Sequence, residues 1–245
     1  MKNRLDLALV EQGLCESRTK AQALIMAGEV KVDGQTEYKA SRKIGLENKV
    51  ELETPPRFVS RGGEKLEGAF SVFPGLSAEG KICLDVGSST GGFTDCLLQH
   101  GARKVMAVDV GTNQLAYKLR NDERVWAREN YNARYMKRED LPEVPELAVT
   151  DVSFISLELI LPPIREVLKD GGEIVALIKP QFEVGKGNAP GGLVKDERLR
   201  MEAVEKITRF GTEALGLKLL GVEESPILGK EMGNKEYLSY WRKEG

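Results

Sequence analysis

Two charged residues stand where an α/β protein does its chemistry. Asp151 follows the apolar run Leu147-Ala148-Val149-Thr150, and Lys179 follows Glu173-Ile174-Val175-Ala176-Leu177-Ile178, the most apolar strand-like run in the chain. In an open parallel sheet, ligands sit beyond the carboxyl ends of the strands, so both side chains are expected to face one cleft. A lysine placed directly after a buried strand sets burial against the attraction of nearby carboxylates. That tension is common at active sites and is also met in structural ion pairs. His100 is the only histidine, so any proton transfer must fall to Lys, Asp, Glu or Tyr.

The stretch Lys81-Ile82-Cys83-Leu84-Asp85-Val86-Gly87-Ser88-Ser89-Thr90-Gly91-Gly92-Phe93-Thr94-Asp95 supplies a loop to go with them. An apolar run ends in a glycine-rich turn, and Phe93, Cys96 and Leu97 then recur at helical spacing up to Gly101, so the unit reads strand, tight loop, helix. Gly87 permits a left-handed backbone, and Gly91 and Gly92 are expected to clear side chains where a ligand approaches the helix N-terminus. A second run, Lys104 to Val108, ends at Asp109, about twenty residues on, where an acidic side chain usually receives a ribose hydroxyl. The pattern G-x-x-x-G-G departs from the dinucleotide fingerprint, because position 89 is Ser89. It suits S-adenosylmethionine better than NAD, since a sulfonium cofactor has no pyrophosphate to lay across the helix. The candidate cofactor residues are Asp85, Gly87, Ser88, Ser89, Gly91, Gly92, Phe93 and Asp109. A tight turn without ligand is the plain alternative.

These elements need a scaffold, and 245 residues with 41% hydrophobic content allow one large α/β domain plus a small appendage. The net charge of -2 conceals 30% charged residues, so nucleic-acid binding has to come from local basic patches. No apolar run reaches transmembrane length, and Met1-Lys2-Asn3-Arg4-Leu5-Asp6 lacks the apolar core of a secretion signal, which points to a cytoplasmic protein without stable membrane association. Cys15, Cys83 and Cys96 are far apart and form no recognisable zinc or iron ligand set, so no metal is expected.

Residues 3 to 12 read as a helix ending at Gly13, and Ser17 can cap a second bearing Ala21, Leu24 and Ile25. Short strands follow at 29 to 34, with an Asp-Gly turn, and at 49 to 52. This gives a small domain over residues 1–52, a linker over 53–59 containing Pro55-Pro56, and a large domain over 60–245. In the large domain a helix carries Leu66, Ala69, Phe70 and Phe73. Further helices are predicted at 114–120, 157–168 and 197–215, with strands at 125–127, 147–150, 173–178, 217–223 and 236–242. Alternation of β and α implies a doubly wound, mostly parallel sheet, with the last strand antiparallel because its connection is too short for a crossover helix.

Two resemblances sharpen this. Arg4-Leu5-Asp6, Gly13, Ser17-Arg18, Ala21, Ile25, Gly28, Val30-x-Val32-Asp33-Gly34 and Ser41 resemble the small α+β RNA-binding domain named after ribosomal protein S-four. That likeness implies Arg4, Arg18 and Lys20 as phosphate contacts, with Lys31 and Lys39 as further candidates; simple surface charges are the bland alternative. The set Lys65, Asp151, Lys179 and Glu236 is similar to the K-D-K-E tetrad of FtsJ-like ribose 2′-O-methyltransferases. The flanking strings Ser60-Arg61-Gly62-Gly63-x-Lys65-Leu66, Asp151-Val152-Ser153-Phe154-Ile155-Ser156, Lys179-Pro180-Gln181-Phe182-Glu183 and Gly233-Asn234-x-Glu236 resemble the TlyA subgroup, often labelled hemolysin A.

That resemblance implies a Rossmann-like class I methyltransferase that uses S-adenosylmethionine to methylate cytidine 2′-hydroxyls in ribosomal RNA. Lys65, Asp151, Lys179 and Glu236 would be its catalytic residues, and ribosomal RNA or ribosomal subunits its partner. Lys179, if neutral, could accept the hydroxyl proton; if charged, it would hold the oxygen and stabilise developing alkoxide. Two other functions compete. A membrane-acting hemolysin would need a transmembrane or long cationic amphipathic segment, which the chain lacks. A non-catalytic ribosome-binding or assembly factor would not need four intact tetrad positions.

Overall fold

A computed structural model describes residues 3–45, 47–53, 56–185, 187–229 and 232–245. The chain divides into two units, Met1–Arg57 and Phe58–Gly245.

The first unit runs β1 (Asn3–Arg4), α1 (Leu5–Glu11), α2 (Arg18–Met26), β2 (Val30–Val32), β3 (Gln35–Thr36), β4 (Lys43–Ile44) and β5 (Val50–Leu52). Ser17 is extended and accepts a hydrogen bond from the Lys20 amide at 3.3 Å, which caps α2. Asp33 and Gly34, at φ 54° and 80°, turn β2 back onto β3, as a two-residue hairpin turn requires. The helix expected from residue 3 starts at Leu5, because Asn3 and Arg4 pair with Ile44 and Lys43 as a strand. Leu5, Leu9, Ala21, Ile25, Val30, Val32 and Ile44 form the core.

The second unit runs α3 (Gly62–Val72), β6 (Ile82–Val86), α4 (Gly92–Gln99), β7 (Lys104–Val108), α5 (Tyr117–Arg120), β8 (Val125–Arg128), β9 (Leu147–Thr150), α6 (Leu161–Val167), β10 (Glu173–Ile178), α7 (Pro180–Glu183), α8 (Glu197–Arg209), β11 (Leu217–Glu224) and β12 (Tyr237–Lys243). The sheet order is β11-β12-β10-β9-β6-β7-β8. Every neighbouring pair is parallel except those made by β12, which is antiparallel to both β10 and β11. Each sheet face carries its own apolar layer, one including Leu84, Met106, Leu161 and Trp241, the other Leu66, Cys83, Leu97 and Tyr240. The fold is thus the expected α/β, Rossmann-like arrangement.

Two helices are shorter than the sequence predicts, and a third changes pitch near its end. Residues 113–115 donate their amides to the Glu129 carboxylate and Asn113 is left-handed at φ 53°, so α5 begins only at Tyr117. Pro162 and Pro163 restart the helix expected from Leu157: a single 3-10 turn precedes α6, which takes the prolines in its first turn. The helix at 197–215 widens into a π-turn at Phe210–Ala214, where Gly211 lies against Trp241.

Thr54 and Pro55 of the expected linker lie outside the described residues. Phe58 and Val59, assigned to that linker from sequence, pack with the second unit: Phe58 is buried against Gly63, and the Val59 amide donates to Asp95 at 2.8 Å. Among the described residues, no helix is long and apolar enough to cross a membrane.

Candidate active site

The topology brings four charged side chains to one edge of the sheet. Asp151 and Lys179 are the first residues beyond β9 and β10, which are parallel neighbours. Because β12 runs the other way, with Tyr237 opposite Ile178, the residue just before its start, Glu236, arrives at the same edge. Lys65 comes from the first turns of α3.

Together they form a chain of alternating charge. Lys179 Nζ lies 2.6 Å from Asp151 Oδ1, Lys65 Nζ 3.2 Å from Asp151 Oδ2, and Lys65 Nζ 2.7 Å from Glu236 Oε2. Lys65, Lys179 and Glu236 are 8%, 7% and 3% exposed. Burying one such charge alone costs several kcal/mol, whereas two cations threaded between two anions compensate one another, so loss of any one leaves an opposite charge stranded. Lys179 also donates to Ser153 Oγ at 2.7 Å. With Asp151 and Ser153 occupying two of its positions, Nζ keeps a third for the cleft that it lines.

That cleft has a volume of about 870 Å³ and is lined by all four charged residues and by Gly87, Ser88, Ser89, Gly92 and Phe93 of the glycine loop. Gly87 has φ 80°, which favours glycine, and a side chain there would meet Val152. Asp109 accepts the Ser89 amide at 2.8 Å and the Gly111 amide at 2.6 Å, so its carboxylate shapes the loop and retains lone pairs for a hydroxyl. Asp85, Gly91 and Asp109 are not on the cleft lining.

Neighbouring chain also packs closely against two of the glycines. A Cβ on Gly91 would fall 2.3 Å from Leu119 Cδ1, and one on Gly92 would fall 2.4 Å from Ser60 Oγ and 2.8 Å from the Gly63 amide nitrogen. Gly92 thus admits the 60–63 turn, with Lys65 behind it, against the loop while also lining the cleft, and Gly91, left-handed at φ 95°, packs against Leu119. Asp85 is fully buried at the foot of the loop. Its Oδ2 accepts the Thr94 hydroxyl at 2.6 Å, its Oδ1 has no hydrogen-bond partner among the described residues, and burial pushes the carboxyl up to about 7, with repulsion from Asp151 adding to it. The positive-φ turn at Gly87, opening with Ser88, Ser89 and Phe93 on a cleft of ligand size, fits S-adenosylmethionine.

The sequence reading missed Ser153, Phe154, Asn234 and Glu183, although all lie in the strings quoted above. Phe154 adopts φ 63°, unusual for a bulky residue, and presents an 80% exposed ring at the cleft, 5.2 Å from that of Phe182. Asn234, also on the cleft lining, joins the Val194 amide at 2.9 Å to the Gly192 carbonyl at 2.7 Å. Glu183 accepts Ser156 Oγ at 2.6 Å and the Leu157 amide at 2.9 Å, and burial pushes its carboxyl up.

In the first unit, Arg4 and Arg18 converge on Asp6, which is fully covered. Arg4 Nε and Nη2 donate to it at 2.9 and 3.0 Å, Arg18 Nε at 2.9 Å and Gln22 Nε2 at 2.7 Å. The Arg4 bond foremost, with those from Gln22 and Arg18, holds the Asp6 carboxyl well below the usual carboxylate range despite burial. Both arginines stay partly exposed, with guanidinium donors left over. Lys20 is paired with Glu16 at 3.3 Å on the surface, Lys31 with Glu53 at 2.8 Å, and Lys39 is exposed. From sequence Asp6 enters only as part of the Arg4-Leu5-Asp6 string, with no role of its own.

Comparison with known proteins agrees with this division. Residues 58–243 match the model of the FtsJ-like methyltransferase family, and residues 3–50 match the S4 domain. The chain is 43% identical to the 16S/23S rRNA (cytidine-2′-O)-methyltransferase TlyA of Mycobacterium tuberculosis, over 98% of this chain and 89% of that one. It is 46% identical to the protein named Hemolysin A of Brachyspira hyodysenteriae, over 97% of this chain and 99% of that one. A solved structure from Streptococcus thermophilus, titled provisionally a hemolysin, superposes with a TM-score of 0.76 at 44% identity, covering 99% of this chain and 89% of that one. With three quarters of its length matched by one family model and full-length relatives above 40% identity, this chain belongs to the FtsJ-like methyltransferase family, of the kind that carries an S4 domain at its N-terminus.

Proposed function

We propose that this chain transfers a methyl group from S-adenosylmethionine to the 2′-hydroxyl of cytidine ribose in ribosomal RNA, with Lys179 at the centre of the reaction. The observation that carries the reading is the charged run Lys179, Asp151, Lys65, Glu236, its two lysines and Glu236 buried, on the same cleft as the glycine loop. The nucleoside and the RNA class come from what the tuberculosis relative is named for.

Bound S-adenosylmethionine supplies a methyl group on a sulfonium, activated enough that in-line positioning does most of the catalysis. Gly87, Ser88, Ser89 and Phe93 hold the cofactor, and Asp109 receives its ribose. Lys179, fixed by Asp151 and Ser153, takes the nucleophilic hydroxyl oxygen on its remaining position. As a neutral amine it accepts the proton that leaves the oxygen, and as an ammonium it stabilises the developing alkoxide. Lys65 and Glu236 fix the ribose and balance the charge. The exposed Phe154 ring at the cleft mouth offers a face for a base to stack on. In the first unit Arg4, Arg18 and Lys20 grip phosphates, which adds affinity without reading sequence. The protein acts in the cytoplasm, on ribosomal RNA or ribosomal subunits.

Ribose-methylation mapping of ribosomal RNA from cells with and without the gene tests this. One or more cytidine 2′-O-methyl groups should disappear with the gene. An unchanged ribose map, or loss of a base methyl instead, would overturn it. The name of the Brachyspira relative raises a second reading, membrane lysis. Lysis of red cells by purified Lys179→Ala protein would favour it, since a toxin needs no methyl-transfer lysine.

A further inference from the structure

Apart from the cleft, one cluster in the second unit combines ligand types that bind metals. Cys96 and His100 are one turn apart on α4 and its C-terminal cap, and Glu67 faces them from α3. His100 Nε2 lies 2.7 Å from Glu67 Oε2, Cys96 Sγ lies 3.9 Å from the same oxygen, and the three ligand atoms are all within 4.8 Å of one another. We propose that Glu67, Cys96 and His100 form a binding site for a zinc-like divalent transition metal. This inference stands apart from the methyl-transfer reading and runs against the expectation of no metal drawn from sequence, where Glu67 lies far from the Cys-x-x-x-His pair.

Ligand chemistry, geometry and access agree. A tetrahedral ion with a metal–sulfur distance of about 2.3 Å and metal–nitrogen and metal–oxygen distances of about 2.0–2.2 Å sets its ligand atoms roughly 3.3–3.7 Å apart. The His100–Glu67 and Cys96–Glu67 separations, 2.7 and 3.9 Å, lie on either side of that range and the third pair is within 4.8 Å, so side-chain rotations convert the hydrogen-bonded cluster into a ligand set. A thiolate, a carboxylate and a neutral imidazole together balance a divalent charge. The sulfur is buried, while the Glu67 and His100 side chains are 27% and 28% exposed, which leaves an entry path and a fourth position for water. The Phe70 ring stacks on His100 with centroids 4.0 Å apart and planes 14° from parallel, holding the imidazole in place. Binding displaces the thiol proton of Cys96, so affinity should rise with pH. A metal here would tie α3, which carries Lys65 two residues before Glu67, to α4, which begins at the glycine loop.

The test is titration of chelator-treated full-length protein with Co²⁺, followed by competition with Zn²⁺. The proposal expects one thiolate-to-cobalt charge-transfer band with tetrahedral d–d absorption, lost on addition of Zn²⁺. The band should be abolished in Cys96→Ser and kept in Cys15→Ser. His100→Gln and Glu67→Gln, at partly exposed positions, should each weaken cobalt binding at least about tenfold and remove the rise in Tm that Zn²⁺ gives the parent protein. Absence of a charge-transfer band, a band that survives Cys96→Ser in folded protein, or unchanged affinity in His100→Gln would each overturn it.

Discussion

Two clusters of paired charge occupy the two units, and they are built in opposite senses. Around Asp6 the carboxylate is covered and the cations, Arg4 and Arg18, spread outward with donors to spare. Around Asp151 both lysines are themselves buried, Lys179 at a strand end and Lys65 on α3, and their carboxylate partners hold them together. The first arrangement stiffens cations that still face solvent, which suits them to grip a polyanion in a salt-dependent way. The second removes cations from solvent and aims one at a cleft, which suits it to act on a single oxygen. A carboxylate in the middle serves both, and what differs is which partner is exposed.

The comparison breaks most visibly at Asp151. Asp151→Asn takes away the anion that Lys65 and Lys179 share, and single-turnover methyl transfer should fall about a thousandfold. A rate near that of the parent would mean that the lysines do not need to be held. Asp85 gives the next largest effect. Its folded carboxyl titrates at about 7, above the unfolded value of about 3.9, so the native state keeps a proton that the unfolded state loses. The resulting stability is fully present below pH 4 and is lost as pH rises towards 7, by up to roughly 4 kcal/mol. Denaturant unfolding of Asp85→Asn across this window should show a flatter slope than the parent, and equal slopes would show that Asp85 is ionised in the fold.

Glu236→Gln keeps the volume and removes one anion from Lys65. It should lower kcat about tenfold to a hundredfold with little change in cofactor affinity, measured by steady-state kinetics and calorimetry. An equal rise in the cofactor dissociation constant would move Glu236 into the binding site. Arg18→Ala sharpens the other side of the comparison: RNA half-saturation should rise about tenfold, the salt slope of binding should fall by about one, and kcat should stay. Asp6→Asn should give a similar loss of affinity together with a stability cost of about 1–2 kcal/mol, small because its partners remain near solvent.

Much of this was legible in the residues, and the reasons differ by element. Asp151 and Lys179 could be placed because apolar strand runs mark their own ends, and in a parallel sheet those ends share an edge. Glu236 reaches that edge only because β12 is inserted antiparallel between β10 and β11, a pairing no local pattern encodes. Asp6 hides because one aspartate two residues after an arginine looks like any surface pair until the fold covers it. Gly91 and Gly92 mark the loop in sequence, but Leu119 and the 60–63 turn that pack against them are far away along the chain, and no local pattern names them. Pro162 and Pro163, and the grip of Glu129 on residues 113–115, shortened helices whose apolar spacing was otherwise sound.

The central claim, that buried Lys179 performs ribose methylation while affinity comes from elsewhere, is tested most directly on Lys179→Ala. Its methyl transfer from labelled S-adenosylmethionine to ribosomal RNA would be measured at saturating concentrations of both, with the product digested to nucleosides. The account predicts no detectable 2′-O-methylcytidine, with cofactor and RNA affinities close to those of the parent. Methylated cytidine ribose formed at a comparable rate would contradict it.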